Sequence, residues 1–265
     1  MEDTIDPAIL GSAVHKALNK LYIPFIDQTL TFEHLSAMEK VSDVTVDKAF
    51  KKKFKGSDIT SGKNLLLVRV AKIMVKRFLQ YEKEQIEELE GSGKNFTVVF
   101  LEHLFETSVS IPYGEKELNI RMKGFIDRVD RMDGWWRIID YKTGTTESKQ
   151  VKLNDWDDLS EDPDLNIGFQ LLMYAWLLAC RFRKPVLSSA GLISLKKLNS
   201  GFTAVSVPGE EPGKLTSILN QATTGRFEEI IRTILTDVYD LKKSFTQTND
   251  RNICSRCPYI NLCGR

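Results

Sequence analysis

The stretch GFIDRVDRMDGWWRIIDYKTG, residues 124–144, decides the fold. Its Asp133-Gly134 pair lies between two segments in which apolar and polar residues alternate. Because a two-residue type I′ turn needs positive φ at both central positions, Asp-Gly in this setting predicts a β-hairpin. Counting outward from this turn along both strands places Asp127 directly opposite Asp140.

The opposed carboxylates of Asp127 and Asp140 predict a cation site. Cross-strand neighbours have Cβ atoms about 4.5–5.5 Å apart, and like charges at that distance are destabilising. Mg²⁺ and Mn²⁺ suit converging carboxylates because both ions prefer oxygen ligands. Lys142 projects from the same face as Asp140, since strand side chains alternate. A bulge that shifts the register by one residue would separate the pair. The carboxylates also have basic residues nearby as alternative partners, namely Arg128, Arg137 and Lys123.

The rest of the chain predicts helices around this sheet. Helices are predicted for the segments 7–22, 31–54, 63–89, 167–183 and 227–241, most of which repeat apolar residues at helical spacing. Further strands are predicted at 105–111, 118–129, 186–194 and 202–207. In the helix at 63–89, the predicted buried face carries Leu66, Val70, Ile73, Arg77, Leu79 and Ile86.

Neither an internal repeat nor a Pro/Gly/Ser-rich linker marks a domain boundary. We therefore expect one α/β domain over residues 1–265. Its helical part extends to about residue 95, its sheet core covers about 96–245, and a cysteine-containing segment covers 246–265.

Composition restricts the class of protein. Hydrophobic residues make up 42% of the chain and charged residues 28%, as in ordinary globular domains. The formal net charge of +1 means that a nucleic-acid partner would need a local basic patch. The longest nearly apolar stretch, 169–180, is too short to span a bilayer, and the N-terminus lacks the basic and apolar regions of a signal peptide. We therefore expect a cytoplasmic protein without a membrane span.

Four motifs occur in order along the chain: GSAVH at 11–15, GFIDRVD at 124–130, IDYKTG at 139–144 and QLLMY at 170–174. Together they resemble the RecB-like and AddB-like nuclease domains of the PD-(D/E)XK phosphodiesterase superfamily. The resemblance implies an α/β fold with a restriction-endonuclease-like core. Such a core has a central mixed β-sheet flanked by helices, here with an N-terminal helical region.

The resemblance also implies the chemistry of a Mg²⁺- or Mn²⁺-dependent deoxyribonuclease, an exonuclease of DNA recombination and double-strand-break repair. The catalytic residues that it implies are Asp127, Asp140, Lys142, Gln170 and Tyr174. The metal ligands that it implies are His15, Asp127, Asp140, the carbonyl of Tyr141, and Glu106 on the preceding strand. Glu102 competes with Glu106 for that role, and a core hydrogen bond is the alternative role for Gln170 and Tyr174.

DNA is the implied partner, held along its backbone without base reading. Candidate contacts are Lys51, Lys52, Lys53 and Lys55, for which a solvated helix face is the alternative interpretation. A helicase domain or subunit is a second implied partner, and we expect the chain to be a piece of a longer helicase-nuclease. The alternative function is a catalytically inactive DNA-binding or scaffolding module of a helicase complex.

Cys254, Cys257 and Cys263 follow a C-x2-C-x5-C spacing. Zinc is the general interpretation of C-x-x-C, and a zinc-dependent interaction domain is a third hypothesis, but such a site needs a second ligand pair that is missing nearby. The resemblance instead implies the iron-sulfur staple of AddB-like nucleases, a [4Fe-4S] cluster whose fourth cysteine lies upstream of the His15 helix. This sequence has no cysteine there, so either the chain is a fragment that lost that ligand or the cluster is absent. Cys180 is a conceivable fourth ligand, but the apolar run around it favours a buried core thiol.

Overall fold

The structure of the protein is a computed structural model that describes residues 6–54, 59–182, 187–244, 246–255 and 257–264. The long helices are α1 (Pro7–Tyr22), α2 (Phe32–Lys53), α3 (Gly62–Gly91), α5 (Asn166–Arg181) and α6 (Gln221–Val238), and the short ones are α4 (Asp158–Glu161) and α7 (Arg251–Ser255). The strands are β1 (Phe96–Tyr113), β2 (Lys116–Met132), β3 (Trp135–Lys142), β4 (Ser188–Ser194), β5 (Phe202–Ala204), β6 (Val207–Pro208) and β7 (Leu215–Thr216).

The main sheet is mixed and has the strand order β1-β2-β3-β4-β5. β1, β2 and β3 are antiparallel neighbours, whereas β4 pairs parallel with β3 and antiparallel with β5. A parallel pair needs a long crossover connection, and α5 lies in that connection. This arrangement confirms the predicted restriction-endonuclease-like α/β fold with helices on the sheet and an N-terminal helical region.

The hairpin forms in the predicted register. Asp133 and Gly134 both have positive φ, 47° and 83°, as the predicted turn requires. Met132 pairs with Trp135, and pairing continues in step until Arg128 lies opposite Ile139. The alternative of a bulge within this part of the hairpin is therefore excluded.

The sheet is the middle of three layers. α1, α2 and α3 pack on one face, where Ile139 and Tyr141 join the core. α5 and α6 cover the other face, where Ile138 joins a second core. Because strand side chains alternate, Asp140 and Lys142 project towards the α5 side, while Tyr141 projects towards the N-terminal helices.

Two predictions about burial are wrong, the first of them in part. On the predicted face of α3, Leu79 and Ile86 are buried, but Arg77 is exposed and Leu66, Val70 and Ile73 are 59%, 39% and 54% exposed, because α3 turns a different stripe towards the core. That stripe consists of Val68, Ala71, Val75, Phe78, Leu79, Glu82 and Ile86. Cys180 is exposed in the last turn of α5 and is not a core thiol.

None of the helices in the described ranges combines the length and apolar composition needed to cross a bilayer.

Gly191 on β4 allows β5 to pair closely. A Cβ atom there would lie 2.6 Å from the Thr203 carbonyl oxygen and 2.7 Å from the ring of Phe202. Since the carbonyl belongs to a paired strand, relief requires backbone movement. Gly191→Ala is therefore expected to lower the free energy of unfolding by about 1–3 kcal/mol, measured by urea denaturation.

Gly225 in α6 is the matched control for this substitution. A Cβ atom there would meet nothing within 4 Å. Gly225→Ala is expected to raise the free energy of unfolding by about 0.4–1 kcal/mol, because alanine loses less backbone entropy on entering a helix. Equal urea midpoints for the two variants would contradict the close contact at Gly191.

Candidate active site

The candidate site lies where β2 and β3 separate at one end of the sheet. The last paired residues are Arg128 and Ile139, one position before Asp127 and Asp140. There the backbone N–H of Tyr141 donates to Asp127 Oδ2 at 2.9 Å. The Asp127 carboxylate thus bonds across to β3, and it lies close enough to Asp140 for its charge to raise the pKa of that residue.

His15 brings α1 to the same place. α1 begins at its predicted residue because Asp6 accepts a hydrogen bond from the Ile9 N–H at 2.7 Å and caps the helix. The Nδ1 atom of His15 lies 3.3 Å from Asp127 Oδ1. Gly11 permits the approach of α1, since a Cβ atom there would lie 3.1 Å from Thr143 Oγ1, just beyond β3.

The surroundings of His15 raise its pKa. Burial would lower this pKa, but the hydrogen bond and charge of Asp127 outweigh burial and raise it. The charge of Asp140 and a hydrogen bond to the Tyr141 main chain act in the same direction. The imidazole therefore faces two carboxylates and one peptide group, a set of donor atoms that attracts positive charge.

Asp140 is the buried carboxylate of the site. Burial raises its pKa, Lys142 lowers it, and the charge of Asp127 raises it again. The Nζ atom of Lys142 lies 2.7 Å from Asp140 Oδ2. That oxygen is buried, and among the described residues Lys142 is its partner.

Gln170 and Tyr174 on α5 extend the cluster. Lys142 Nζ donates to Gln170 Oε1 at 3.1 Å, and Gln170 Nε2 donates to the Tyr174 hydroxyl at 2.9 Å. Burial raises the pKa of Tyr174, and the charges of Asp140 and Asp127 raise it further. The two polar residues of this helix thus hold Lys142 from the side opposite Asp140.

Gly124 on β2 explains how α5 comes so close. A Cβ atom at this position would lie 2.8 Å from Leu177 Cδ1 and 3.3 Å from the Tyr174 ring. A larger residue would push the helix away from the sheet. The glycine that begins the GFIDRVD motif therefore helps to place Tyr174 and, one turn earlier, Gln170.

The alternative partners of the two aspartates are engaged elsewhere. Arg128 Nε lies 2.6 Å from Asp130 Oδ1, and Arg137 binds the other oxygen of Asp130 at 2.8 Å. Arg128 and Asp130 are completely buried on the face towards the N-terminal helices. Lys123 is exposed and pairs in register with Glu106. These cations do not neutralise Asp127 or Asp140.

Glu82 on α3 is a buried residue that the sequence analysis missed. Its carboxylate lies 2.8 Å from Arg128 and also accepts from the Tyr22 hydroxyl. Arg128 donates in turn to the hydroxyl of Tyr141 at 3.1 Å. This buried network thereby fixes the residue whose main chain contacts both Asp127 and His15. The burial of Glu82 could have been predicted from its position four residues after Phe78 on an apolar helix face.

Glu106 does not join the cluster, and Glu102 lies beside it. The pairing of β1 with β2 puts Glu102 opposite Asp127, at a backbone irregularity where Glu102 has a φ of 40°. Glu102 lines a small cavity with His15 and Asp127, and Lys16 lies 3.5 Å from its carboxylate. Glu106 is four residues further along the strand, a distance of about 13 Å.

The lysine-rich end of α2 is separate from these contacts. Lys51, Lys52 and Lys53 are exposed in the last turn of that helix. Within the described ranges, no hydrogen bond or ion pair joins them to the site. Lys55 lies outside the described residues. The role of these lysines in DNA contact stays a prediction.

The C-terminal cysteines are not gathered as a ligand set. Among the described residues, Cys254, Cys257 and Cys263 form no disulfide, and they lie near the end of the chain. The part of the chain that the structure describes contains no ready-made group of three His, Cys, Asp or Glu side chains around a metal position. Three cysteines without a fourth also do not fit the four that a [4Fe-4S] cluster takes.

The site at the sheet end does fit a hard divalent cation by its chemistry. Asp127 and Asp140 offer carboxylate oxygens, Tyr141 offers a carbonyl oxygen, and His15 offers an imidazole nitrogen, all ligands that Mg²⁺ or Mn²⁺ accepts. The buried Asp140 oxygen is paired with Lys142, so an ion would bind it by displacing that ammonium. In the structure these groups are joined in pairs, His15 with Asp127 and Lys142 with Asp140.

The fold and this cluster define a class: α/β proteins with a restriction-endonuclease-like sheet that carries two acidic residues and a lysine at the end of its central hairpin. The family model for the PD-(D/E)XK nuclease superfamily matches residues 1–264, and the chain belongs to that superfamily. A solved structure titled "Crystal structure of SSO0001" is similar over 99% of this chain and 98% of that chain. Its identity is 14% and its TM-score 0.30, a likeness too loose to place side chains. No curated protein matches the chain.

Proposed function

We propose that the protein is a Mg²⁺- or Mn²⁺-dependent deoxyribonuclease of the RecB-like and AddB-like kind. One observation carries the proposal: His15, Asp127, Asp140 and Lys142 come from three separate elements and meet at one sheet end, while the neighbouring arginines neutralise other groups. Burying charge in this way is costly unless a partner compensates for it.

The residues divide into two groups by their contacts. Asp127, Asp140, His15 and the Tyr141 carbonyl would hold the divalent ion, which lowers the pKa of a bound water and offsets negative charge on a phosphodiester. Lys142 Nζ is the remaining cation beside Asp140, and it orients the attacking water or stabilises the phosphate oxygens as charge develops.

Gln170 and Tyr174 are positioning residues in this proposal. Gln170 Oε1 accepts from Lys142 Nζ, which keeps the ammonium directed along the face of the sheet. Tyr174 fixes the orientation of the Gln170 amide by accepting from its Nε2 atom. Because burial raises the pKa of Tyr174, its hydroxyl stays protonated and acts through hydrogen bonds alone.

The proposal extends to the substrate, the mode of cleavage, the partner and the compartment of the protein. DNA is bound through its backbone without sequence preference, and cleavage proceeds as an exonuclease in recombination and double-strand-break repair. A helicase domain or subunit supplies the unwound strand, and the protein acts in the cytoplasm. The resemblance of GSAVH, GFIDRVD, IDYKTG and QLLMY to RecB-like and AddB-like motifs supports this context.

Metal-dependent cleavage of linear DNA tests the proposal. End-labelled single- and double-stranded DNA and a closed circular plasmid are incubated with the wild-type protein in Mg²⁺, in Mn²⁺ or in EDTA. We expect cleavage of linear DNA with either metal, none in EDTA, an intact plasmid, and complete loss of activity in Asp140→Ala. DNA binding without cleavage under every condition would instead support the inactive scaffolding module.

A further inference from the structure

A second polar cavity lies beside the candidate site, on the same face of the sheet. It has a volume of about 570 Å³ and lies over the ends of β4 and β5. Its walls are mostly hydroxyl-bearing, with two lysines and one carboxylate, that of Glu147, which is paired with Lys149. The hydroxyl-bearing residues are Thr146, Ser148, Ser194, Ser200 and Thr203. Nothing in the proposed reaction uses these side chains.

The register of the sheet places this cavity in line with the catalytic groups. Lys142 on β3 pairs with Ser194 on β4, and Asp140 pairs with Leu192. Leu192 pairs in turn with Thr203 on β5. Paired residues share a face, and neighbouring strands lie about 4.8 Å apart. The cavity therefore begins about 5 Å from the catalytic row and extends to about 10 Å from it.

This distance suits the nucleotides that flank a cleaved bond. Successive phosphates of one strand lie about 6–7 Å apart, more than the 3.4 Å axial rise per stacked nucleotide, so 5–10 Å reaches the phosphate next to the scissile one. Hydroxyl groups and lysine ammoniums are common ligands of backbone phosphates. A strand whose scissile phosphate lies at Asp140 thus has its next phosphate within reach of the cavity.

Lys197 supplies the charge that a phosphate subsite needs. Lys149, the other lysine of the cavity, is already paired with Asp164 at 3.1 Å and with Glu147 at 3.5 Å. Lys197 is exposed and has no ion-pair partner in the part of the chain that the structure describes. Its ammonium is therefore available to an anion from outside the protein.

The turn that carries Lys197 is tied directly to the catalytic strand. The N–H of Leu195 donates to the carbonyl of Lys142 at 2.9 Å, and the N–H of Lys197 donates to Ser194 Oγ at 3.3 Å. Gly201, with a φ of 58°, closes the turn after Ser200. Because of these bonds, the cavity and the catalytic lysine keep a fixed spacing.

We propose that this cavity is a subsite for backbone phosphates of the DNA strand being cut, with Lys197 as its cation and Ser200 and Thr203 as hydroxyl donors. The subsite rests on the proposed nuclease function and deepens it. The subsite binds the DNA strand next to the scissile bond. It recognises the charge and spacing of the phosphates and makes no contact with the bases.

Single-turnover cleavage of a short end-labelled DNA strand tests the subsite. The protein concentration that gives half-maximal rate is expected to rise about three- to tenfold in Lys197→Ala, and the slope of its logarithm against log salt is expected to fall by about one. Lys214→Ala is the matched control, since that lysine is paired with Glu211 and lines a different cavity. The control is expected to match the wild type.

Neutral methylphosphonate linkages locate the contact along the strand. One such linkage, placed next to the scissile one, is expected to weaken DNA binding by the wild type and to have no further effect on binding by Lys197→Ala. Additive losses at every position, or a Lys197→Ala variant with wild-type half-maximal concentration and salt slope, would overturn the subsite while leaving the nuclease proposal intact. A wild-type protein that cleaves no DNA overturns both.

Discussion

Lys142→Ala is expected to slow DNA cleavage by at least about 10²–10³-fold under single-turnover conditions at saturating protein. A preorganised donor aimed at developing charge is worth about this factor in enzymes where it has been removed. Lys142 is the cation that lies 2.7 Å from Asp140, and Gln170 holds it there. Its loss removes the group that faces the attacking water or the phosphate oxygens, and the nearby Arg128 and Arg137 are already paired with Asp130.

Lys123→Ala is the control for this prediction, because Lys123 is an exposed lysine on the adjacent strand β2 and lies outside the cluster. It is expected to retain the wild-type rate. Calorimetric titration with Mn²⁺ distinguishes lost chemistry from lost folding. Removing the ammonium from Asp140 should leave Mn²⁺ affinity unchanged or raise it, since the carboxylate no longer has a competing cation. Full activity in Lys142→Ala would eliminate the assigned role of this lysine.

The hairpin was predictable because its determinants are local. An Asp-Gly turn fixes the register within a few residues, and the alternation of side chains then fixes which of them share a face. That register predicts Asp127, Asp140 and Lys142 as neighbours, although Asp127 and Asp140 lie one position beyond Arg128–Ile139, the last pair that forms. His15, Gln170 and Tyr174 needed the spaced motifs, since nothing in the local sequence says that α1 and α5 approach the same end of the sheet.

The predictions that failed concerned residues whose positions depend on partners distant in sequence. Leu66 and Ile73 are apolar and helical in spacing, yet α3 buries the stripe with Glu82, because that carboxylate finds Arg128 on β2. Hydrophobicity alone assigns a glutamate to solvent. Glu106 and Glu102 both fit an acidic strand position, and the choice between them depended on the pairing of β1 with β2 and its irregularity at Glu102.

Arg128→Met is expected to lower the free energy of unfolding by about 3–5 kcal/mol, or to prevent folding. Arg128 is completely buried and lies 2.6 Å from Asp130 and 2.8 Å from Glu82. It also stacks on the Tyr22 ring at 4.4 Å and donates to the Tyr141 hydroxyl. Removing the guanidinium leaves two carboxylates in the core with less compensation, and urea denaturation measures the loss.

Lys76→Met is the matched control, because Lys76 makes an ion pair with Asp43 in which both side chains are nearly half exposed. Such pairs contribute at most about 1 kcal/mol. A second variant distinguishes the effect of uncompensated buried charge from the effect of lost packing. It combines Arg128→Met with Glu82→Gln and Asp130→Asn, which removes the uncompensated carboxylates. This variant is expected to recover part of the free energy of unfolding. If the single Arg128→Met variant were as stable as Lys76→Met, the network would not be what fixes Tyr141 at the site. The main chain of that residue would then be held by Asp127 and His15 alone.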